Sequence, residues 1–300
     1  MFAQFPKAAL LQILVTTLSA CGGGSTSPVP FTSTSELPPD GAVELQGQAH
    51  TAAYTTNLTD GTTTYDTPSG PQDSSLAITF SNGEQIAISG SAGNSKFDID
   101  TRDGDEIYYR ENSTYYSTDA ENRDDGDAAY FSKTDSSGLD HLVYGAWYDL
   151  DRQNPTTGAG HYGVATRATA MPQSSSATYR GKGLGIANHD GIHSDTNFDV
   201  TVTTSDFSSI SVQSSNTTWT DGAHKRLSDG TYQFVEDASA LDFSGTGQID
   251  DAGFNANLTS AAGSGTATGS FYGPNAEEVG ASFAISGSGS THIGAFGASR

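Results

Sequence analysis

Between Ser75 and Ile88 the chain alternates apolar and polar residues, with Leu76, Ile78 and Phe80 on one side; it turns at Asn82-Gly83 and resumes with Ile86 and Ile88. Asn-Gly supplies the two positive-φ residues that a tight hairpin demands, and a period of two commits one face of each strand to a core. The same pattern recurs in Val43-Glu44-Leu45-Gln46, Lys96-Phe97-Asp98-Ile99 and Ile107-Tyr108-Tyr109. Helical bundles need Leu- and Met-rich stripes, and this chain of 300 residues is only 34% hydrophobic with 2 Met. Its 10% aromatic content is nevertheless too high for a disordered chain. The sequence predicts an all-β protein.

Residues 41–137 read as a small, mostly β N-terminal domain, and residues 138–300 as a second, more regular one. In the second, eight strands are expected: His141–Leu150, Ala177–Ala187, Phe198–Thr204, Ser209–Ser215, Leu241–Ile249, Phe254–Leu258, Gly265–Tyr272 and Val279–Ile285. A long polar connection with Pro155 and Gly158–Gly160 is expected after the first. Phe198, Val200 and Val202 share a face, as do Val279, Ala281, Phe283 and Ile285. Interior glycines such as Gly245, Gly247 and Gly269 suit strands that bend as a sheet closes, and eight strands make a barrel whose lumen side chains just fill. The opposite face is Ser, Thr, Asn, Asp and Gly, so the apolar face points inward. That is a soluble antiparallel barrel and not one that meets lipid.

The N-terminus places Lys7 before an apolar run, Ala8 to Val15, followed by Leu18-Ser19-Ala20-Cys21. The run is far shorter than the ~20 residues that span a bilayer. It is a signal peptide over residues 1–20, and its end resembles the bacterial lipobox. That resemblance implies cleavage before Cys21, acylation of its thiol and new amine, and membrane attachment through several acyl chains, which together anchor stably. Gly22 stands where an inner-membrane retention signal has Asp, which implies the outer membrane. Residues 21–40 read as a flexible tether. Cys21 is the single cysteine, so no intramolecular disulfide forms.

The stretch Gly269-Ser270-Phe271-Tyr272-Gly273-Pro274-Asn275-Ala276-Glu277-Glu278-Val279-Gly280-Ala281-Ser282-Phe283, with Phe296-Gly297-Ala298 near the end, resembles the barrel hairpin of the transferrin-binding protein B superfamily. Ser176–Gly181 resembles that family's second barrel strand. The physics of the motif is structural: Gly273-Pro274 turns the chain, and Gly280 lets a neighbour come close. The resemblance implies an N-terminal handle domain, an eight-stranded barrel, and a lipoprotein carried to the cell surface by a Slam-type translocon. There it captures a protein ligand or haem in iron or haem acquisition. The chain has length for one such lobe. The alternative reading is an adhesion or immune-shielding lipoprotein with no small-molecule ligand.

Charge and chemistry narrow the field. With 35 acidic against 13 basic residues and a net charge of −22, nucleic-acid binding is excluded and docking on anionic lipid by electrostatics alone is disfavoured. No Gly-x-Ser-x-Gly elbow, His-Glu-x-x-His or phosphate-binding glycine loop is present, so no enzyme is expected, and no cofactor is required. His189 and His193, with flanking carboxylates, are expected in a loop between barrel strands. His161-Tyr162 is expected in the long loop before them. These four are the ligand-binding candidates, because imidazole and phenol oxygen both ligate haem iron. The i, i+4 spacing of His189 and His193 converges only on a helix, which weighs for solvated loop histidines. Asp98–Glu106 and Asp119–Asp127 look like calcium loops but lack the EF-hand spacing.

Overall fold

The computed structural model describes residues 33, 37–57, 59, 62–109, 113–117, 126–133, 137–150, 154–227, 229–287 and 289–300. The signal peptide, Cys21, most of the tether and the acidic stretch 119–125 lie outside the described residues. The described chain is nearly all β, as the alternation predicts, and forms two sheets.

The N-terminal sheet contains β1 (Gly41–Thr56), β2 (Thr63–Tyr65), β3 (Gln72–Ser81), β4 (Glu84–Ala92), β5 (Ser95–Asp100), β6 (Glu106–Tyr109), β7 (Ser113–Ser117), β8 (Asp127–Ser132), β9 (Leu142–Asp149) and β10 (Thr156–Gly163). Its order is β5-β4-β3-β1-β10-β9-β8-β7-β6, with β2 on β1. Asn82 and Gly83 turn the β3–β4 hairpin at φ of 52° and 80°. The sheet curls until β5 approaches β8 and β9, and side chains bridge the remaining gap. Asp149 accepts the Lys96 amide at 3.1 Å, Asp127 accepts the Asp98 amide at 2.9 Å, and Trp147 Nε1 donates to Ser95 Oγ at 2.8 Å. Carboxylates thus satisfy edge-strand amides that would otherwise template a foreign strand. Inside lie Leu45, Leu76, Ile78, Phe97, Phe131, Trp147 and Tyr162.

The C-terminal sheet contains β11 (Ala177–His189), β12 (Ile192–Thr204), β13 (Ser209–Arg226), β14 (Tyr232–Asp237), β15 (Phe243–Asp250), β16 (Gly253–Ser260), β17 (Gly263–Tyr272), β18 (Glu278–Gly287) and β19 (Ser290–Ser299). Pairing of β12 with β13 closes eight of them into an antiparallel barrel, and β14 extends β13 outside it. The lumen is packed with aromatics: Phe283 lies 4.6 Å from Phe243 and 5.7 Å from Phe198, centroid to centroid.

Two strand assignments need correcting. The strand at 142–149, expected as the first of the barrel, belongs to the N-terminal sheet, where it pairs with β8 and β10. The eighth barrel strand is instead β19, which pairs with both β11 and β18. The two faces of β9 sort as its alternation suggests. Val143 and Trp147 enter the N-terminal core, while Leu142, Tyr144, Ala146 and Tyr148 face the barrel. Periodicity marks a strand with two buried faces but does not say which neighbour it pairs with. The polar connection expected after it is strand β10, whose glycines make room for rings: a Cβ on Gly158 would stand 2.2 Å from the Trp147 indole.

A third core joins the two bodies. Ala52, Leu142, Tyr144 and Ala159 from the N-terminal sheet pack on Leu184, Ile186, Ala284, Ile293 and Ala295 from the barrel exterior. The part of the barrel's outer face that the N-terminal sheet covers is thus apolar.

Candidate ligand-binding site

The family-like hairpin sits at the seam. Glu278, 4% exposed, accepts the backbone amides of Asp140 at 2.5 Å and His141 at 3.0 Å, which clamps the segment entering β9. Burial pushes its pKa up, against the pull of those amides. Gly280 faces Leu142, whose Cδ1 would stand 3.1 Å from a Cβ there. The Tyr272 hydroxyl meets His161 Nδ1 at 2.6 Å.

Beside this seam the second half of β13 leaves the barrel and pairs with β14, from Ala223 opposite Val235 to Arg226 opposite Tyr232. The result is a two-stranded arm, closed by a turn in which the Leu227 amide donates to Thr231 O. Among the described residues the exposed large hydrophobics are Val164 and three on this arm: Leu227 at 37%, Tyr232 at 66% and Phe234 at 53%. Exposed aromatics grouped on a projecting element mark a contact surface. Phe234 stacks edge-on against His224 at 5.5 Å, and Lys225 ties the arm to Asp190 through an ion pair. Between the arm and the N-terminal sheet runs a cleft of about 870 Å³, lined by Thr63, Asn188, His193, His224, Arg226 and Tyr232.

The four sequence-predicted residues do not converge. His189 ends β11 and His193 lies on β12, joined by a tight turn at Asp190 (φ 53°) and Gly191 (φ 77°) and not by a loop. His189 Nδ1 bonds Ser290 Oγ at 2.9 Å, whereas His193 Nε2 bonds the Tyr65 hydroxyl at 2.8 Å. His161 and Tyr162 occupy opposite faces of β10: His161 is at the seam, and Tyr162 lies in the N-terminal core, where its hydroxyl meets Ser74 Oγ at 3.0 Å. With His193 Nε2 engaged by Tyr65, these side chains do not build one iron-ligating pocket. Among the described residues no three His, Cys, Asp or Glu side chains are grouped so as to hold a metal ion. In the Asp98–Glu106 stretch, Asp100 is taken by an ion pair with Arg102.

The structure instead gathers tyrosines around His193. Rings of Tyr54, Tyr65 and Tyr148 lie 5.4, 5.6 and 5.9 Å from it, and burial lowers its pKa to about 4. The Tyr148 hydroxyl donates to Asp195 at 2.7 Å, and burial raises the Tyr148 pKa well above the usual value. Tyr54 and Tyr65 face each other across the β1–β2 pair, whereas Tyr148 and His193 come from strands far off in sequence, so no local motif announces the cluster. The arm aromatics were readable only as an apolar pair inside a polar segment, with no indication that they stay exposed.

The described residues thus form an all-β lobe, a curled N-terminal sheet seated on a closed barrel that projects an aromatic arm. Residues 171–300, the whole barrel included, match the model of the C-lobe and N-lobe beta barrels of Tf-binding protein B, and the chain therefore carries a transferrin-binding protein B-like barrel. No curated protein matches the chain. Solved structures similar to it include a double mutant of Transferrin Binding Protein B from Haemophilus parasuis (13% identity, 89% of this chain and 78% of that one, TM-score 0.44). Another is the isotype 1 Transferrin binding protein B of Neisseria meningitidis (17%, 76% and 52%, TM-score 0.43). A third is HpuA from Kingella denitrificans, in complex with human haemoglobin (12%, 91% and 94%, TM-score 0.40).

Proposed function

We propose that this chain is a binding protein and not an enzyme. In this reading it is displayed on the outer face of a bacterial outer membrane through acyl chains on Cys21, after export by a Slam-type translocon. It captures a protein ligand in iron or haem acquisition. The observation that carries the reading is the projecting arm. Leu227, Tyr232 and Phe234 are three of the four exposed large hydrophobics among the described residues, and Leu227 and Tyr232 border a cleft on a barrel of the Tf-binding protein B type. A central aromatic cluster with a polar surround is the anatomy of a protein-binding hot spot. The net charge of −22 steers association toward ligands with a basic surface.

The test is protease shaving of intact cells expressing the full chain, with Cys21→Ala as control, followed by capture assays on the shaved and unshaved cells with transferrin, haemoglobin and free haem as probes. Anchored, cleavable protein that captures transferrin or haemoglobin supports the reading. Protein that is anchored but protected from outside overturns the surface half. A surface protein that retains none of the three probes is an adhesion or shielding lipoprotein instead.

A further inference from the structure

Three imidazoles bridge the seam between the N-terminal sheet and the barrel, each to a hydroxyl. His50 on β1 meets Ser282 Oγ on β18 at 3.1 Å, His161 on β10 meets Tyr272 on β17 at 2.6 Å, and His193 on β12 meets Tyr65 on β2 at 2.8 Å. His50 and His161 are each 1% exposed. Gln48 lies opposite His161 and His50 opposite Ala159, so the two rings are diagonal neighbours on one face of the β1–β10 pair. In both, Nε2 is buried and makes no hydrogen bond.

A second proton on His50 would sit on a buried nitrogen with nothing to accept it; on His161 the Thr268 backbone favours the charged form but is outweighed by burial, and each charge would stand beside another imidazole. The groups facing these rings offer no compensating charge. His161 sees Tyr272 and the Thr268 backbone on β17 and His50 on β1, with Asp250 at the far side of the cleft it lines. His50 sees Ser282 on β18 and His161. His193 sees Tyr54, Tyr65 and Tyr148, with His224, Arg226 and Asp229 across its cleft; Asp195, two residues along its own strand, accepts from Tyr148.

We propose that these three imidazole–hydroxyl bridges form an acid-operated latch, which holds the N-terminal sheet on the barrel at neutral pH and loosens the seam when the medium turns mildly acidic. Two clefts straddle that seam, the one beside the arm and a second of about 580 Å³ lined by Gln48, His161, Asn255, Thr268 and Tyr272. Resting on the capture reading, the latch gives ligand release in acid. Burial supports the direction: it lowers the pKa of His50 and His193 to about 4 and that of His161 to about 3, from 6.5. A folded-state pKa below the unfolded one contributes stability that is complete above pH 6.5 and drains away as pH falls below it. Each bridge then weakens the closed seam about tenfold per pH unit below 6.5.

The test is hydrogen exchange on the full chain between pH 7.5 and 5, corrected for the intrinsic pH dependence of exchange. It needs no ligand, so it stands or falls apart from the capture reading. Protection at β10 and at the seam-facing strands β18 and β19 should drop by about tenfold or more while the pairing of Ser209–Gln213 on β13 with Ser244–Gln248 on β15, which lines neither seam cleft, stays protected. His292 is the control for whole-barrel unfolding, because it is buried in the lumen against Phe283 with its pKa also lowered, to about 3. The triple substitution His50→Gln, His161→Gln and His193→Gln should make seam exchange insensitive to pH. If the triple variant does not fold, each single variant should flatten the wild-type pH slope by about one third. Unchanged seam protection at pH 5, loss at seam and barrel together, or a single-variant slope equal to wild type overturns the latch.

Discussion

The Tyr148 hydroxyl on β9 donates to Asp195 Oδ1 on β12 at 2.7 Å, so a buried phenol of one sheet directs a carboxylate of the other. The bond lies beside His193 and helps to fix the wall of the arm cleft. Tyr148→Phe removes one donor to that carboxylate and should destabilise the protein by about 1–3 kcal/mol. Urea denaturation monitored by far-UV circular dichroism checks this, and an unchanged midpoint would mean that the bond contributes nothing net.

Glu278 satisfies two amides of the segment that enters β9. Glu278→Ala leaves both amides without that acceptor in a part-buried site, and a loss of about 1–3 kcal/mol is expected. Glu278→Gln keeps one carbonyl acceptor and should recover roughly half of it. The comparison is made by thermal melts of the three proteins at pH 7.

Asp127 behaves in the opposite sense to an ordinary ion-paired carboxylate. Burial first, then the neighbouring Asp149 and Asp98 charges, raises its pKa to about 6, although the Asp98 amide pulls the other way. A raised folded-state pKa gives stability that is complete below the unfolded value near 3.8 and is lost as pH rises through about 6. Asp127→Asn keeps an acceptor for the Asp98 amide without the charge. It should stabilise the protein at pH 7.5 by about 1 kcal/mol, after allowance for partial solvent screening. At pH 4 the two proteins should melt together.

Tyr232 and Phe234 project from the arm and contribute little to any core. Replacing both with Ser should leave folding stability within about 0.5 kcal/mol of wild type. Affinity for a captured protein should fall at least tenfold, mainly through faster dissociation measured by surface plasmon resonance. Equal affinity in the double variant would move the binding surface elsewhere.

The sequence carried the strands better than their partners. The β3–β4 hairpin was legible because Asn82-Gly83 fixes its turn, although a bulge beyond Phe80 shifts its register, pairing Thr79 with Ala87. Seven barrel strands were legible from alternation and turn residues. β19 was not, because Gly294 and Gly297 look like loop residues until the rings above them are known: a Cβ on Gly294 would stand 2.6 Å from Phe283, and one on Gly297 would stand 2.7 Å from Tyr144. β10 was hidden in the same way by Gly158 and Gly160. At the site, His189 and His193 were visible as chemistry, but their divergence is set by the hairpin turn and by partners more than a hundred residues away, Ser290 and Tyr65. Long-range contacts of that kind leave no local trace in composition or period.

The hairpin from Tyr272 to Gly280 is built into the seam, whereas the arm stands beside the seam and projects into solvent. Seam contacts and exposed aromatics thus belong to separate parts of the chain. On the proposed capture reading, substitutions in the arm redraw what the lobe takes hold of without disturbing how its halves meet, and a lineage can follow a changing ligand residue by residue on an unchanged scaffold.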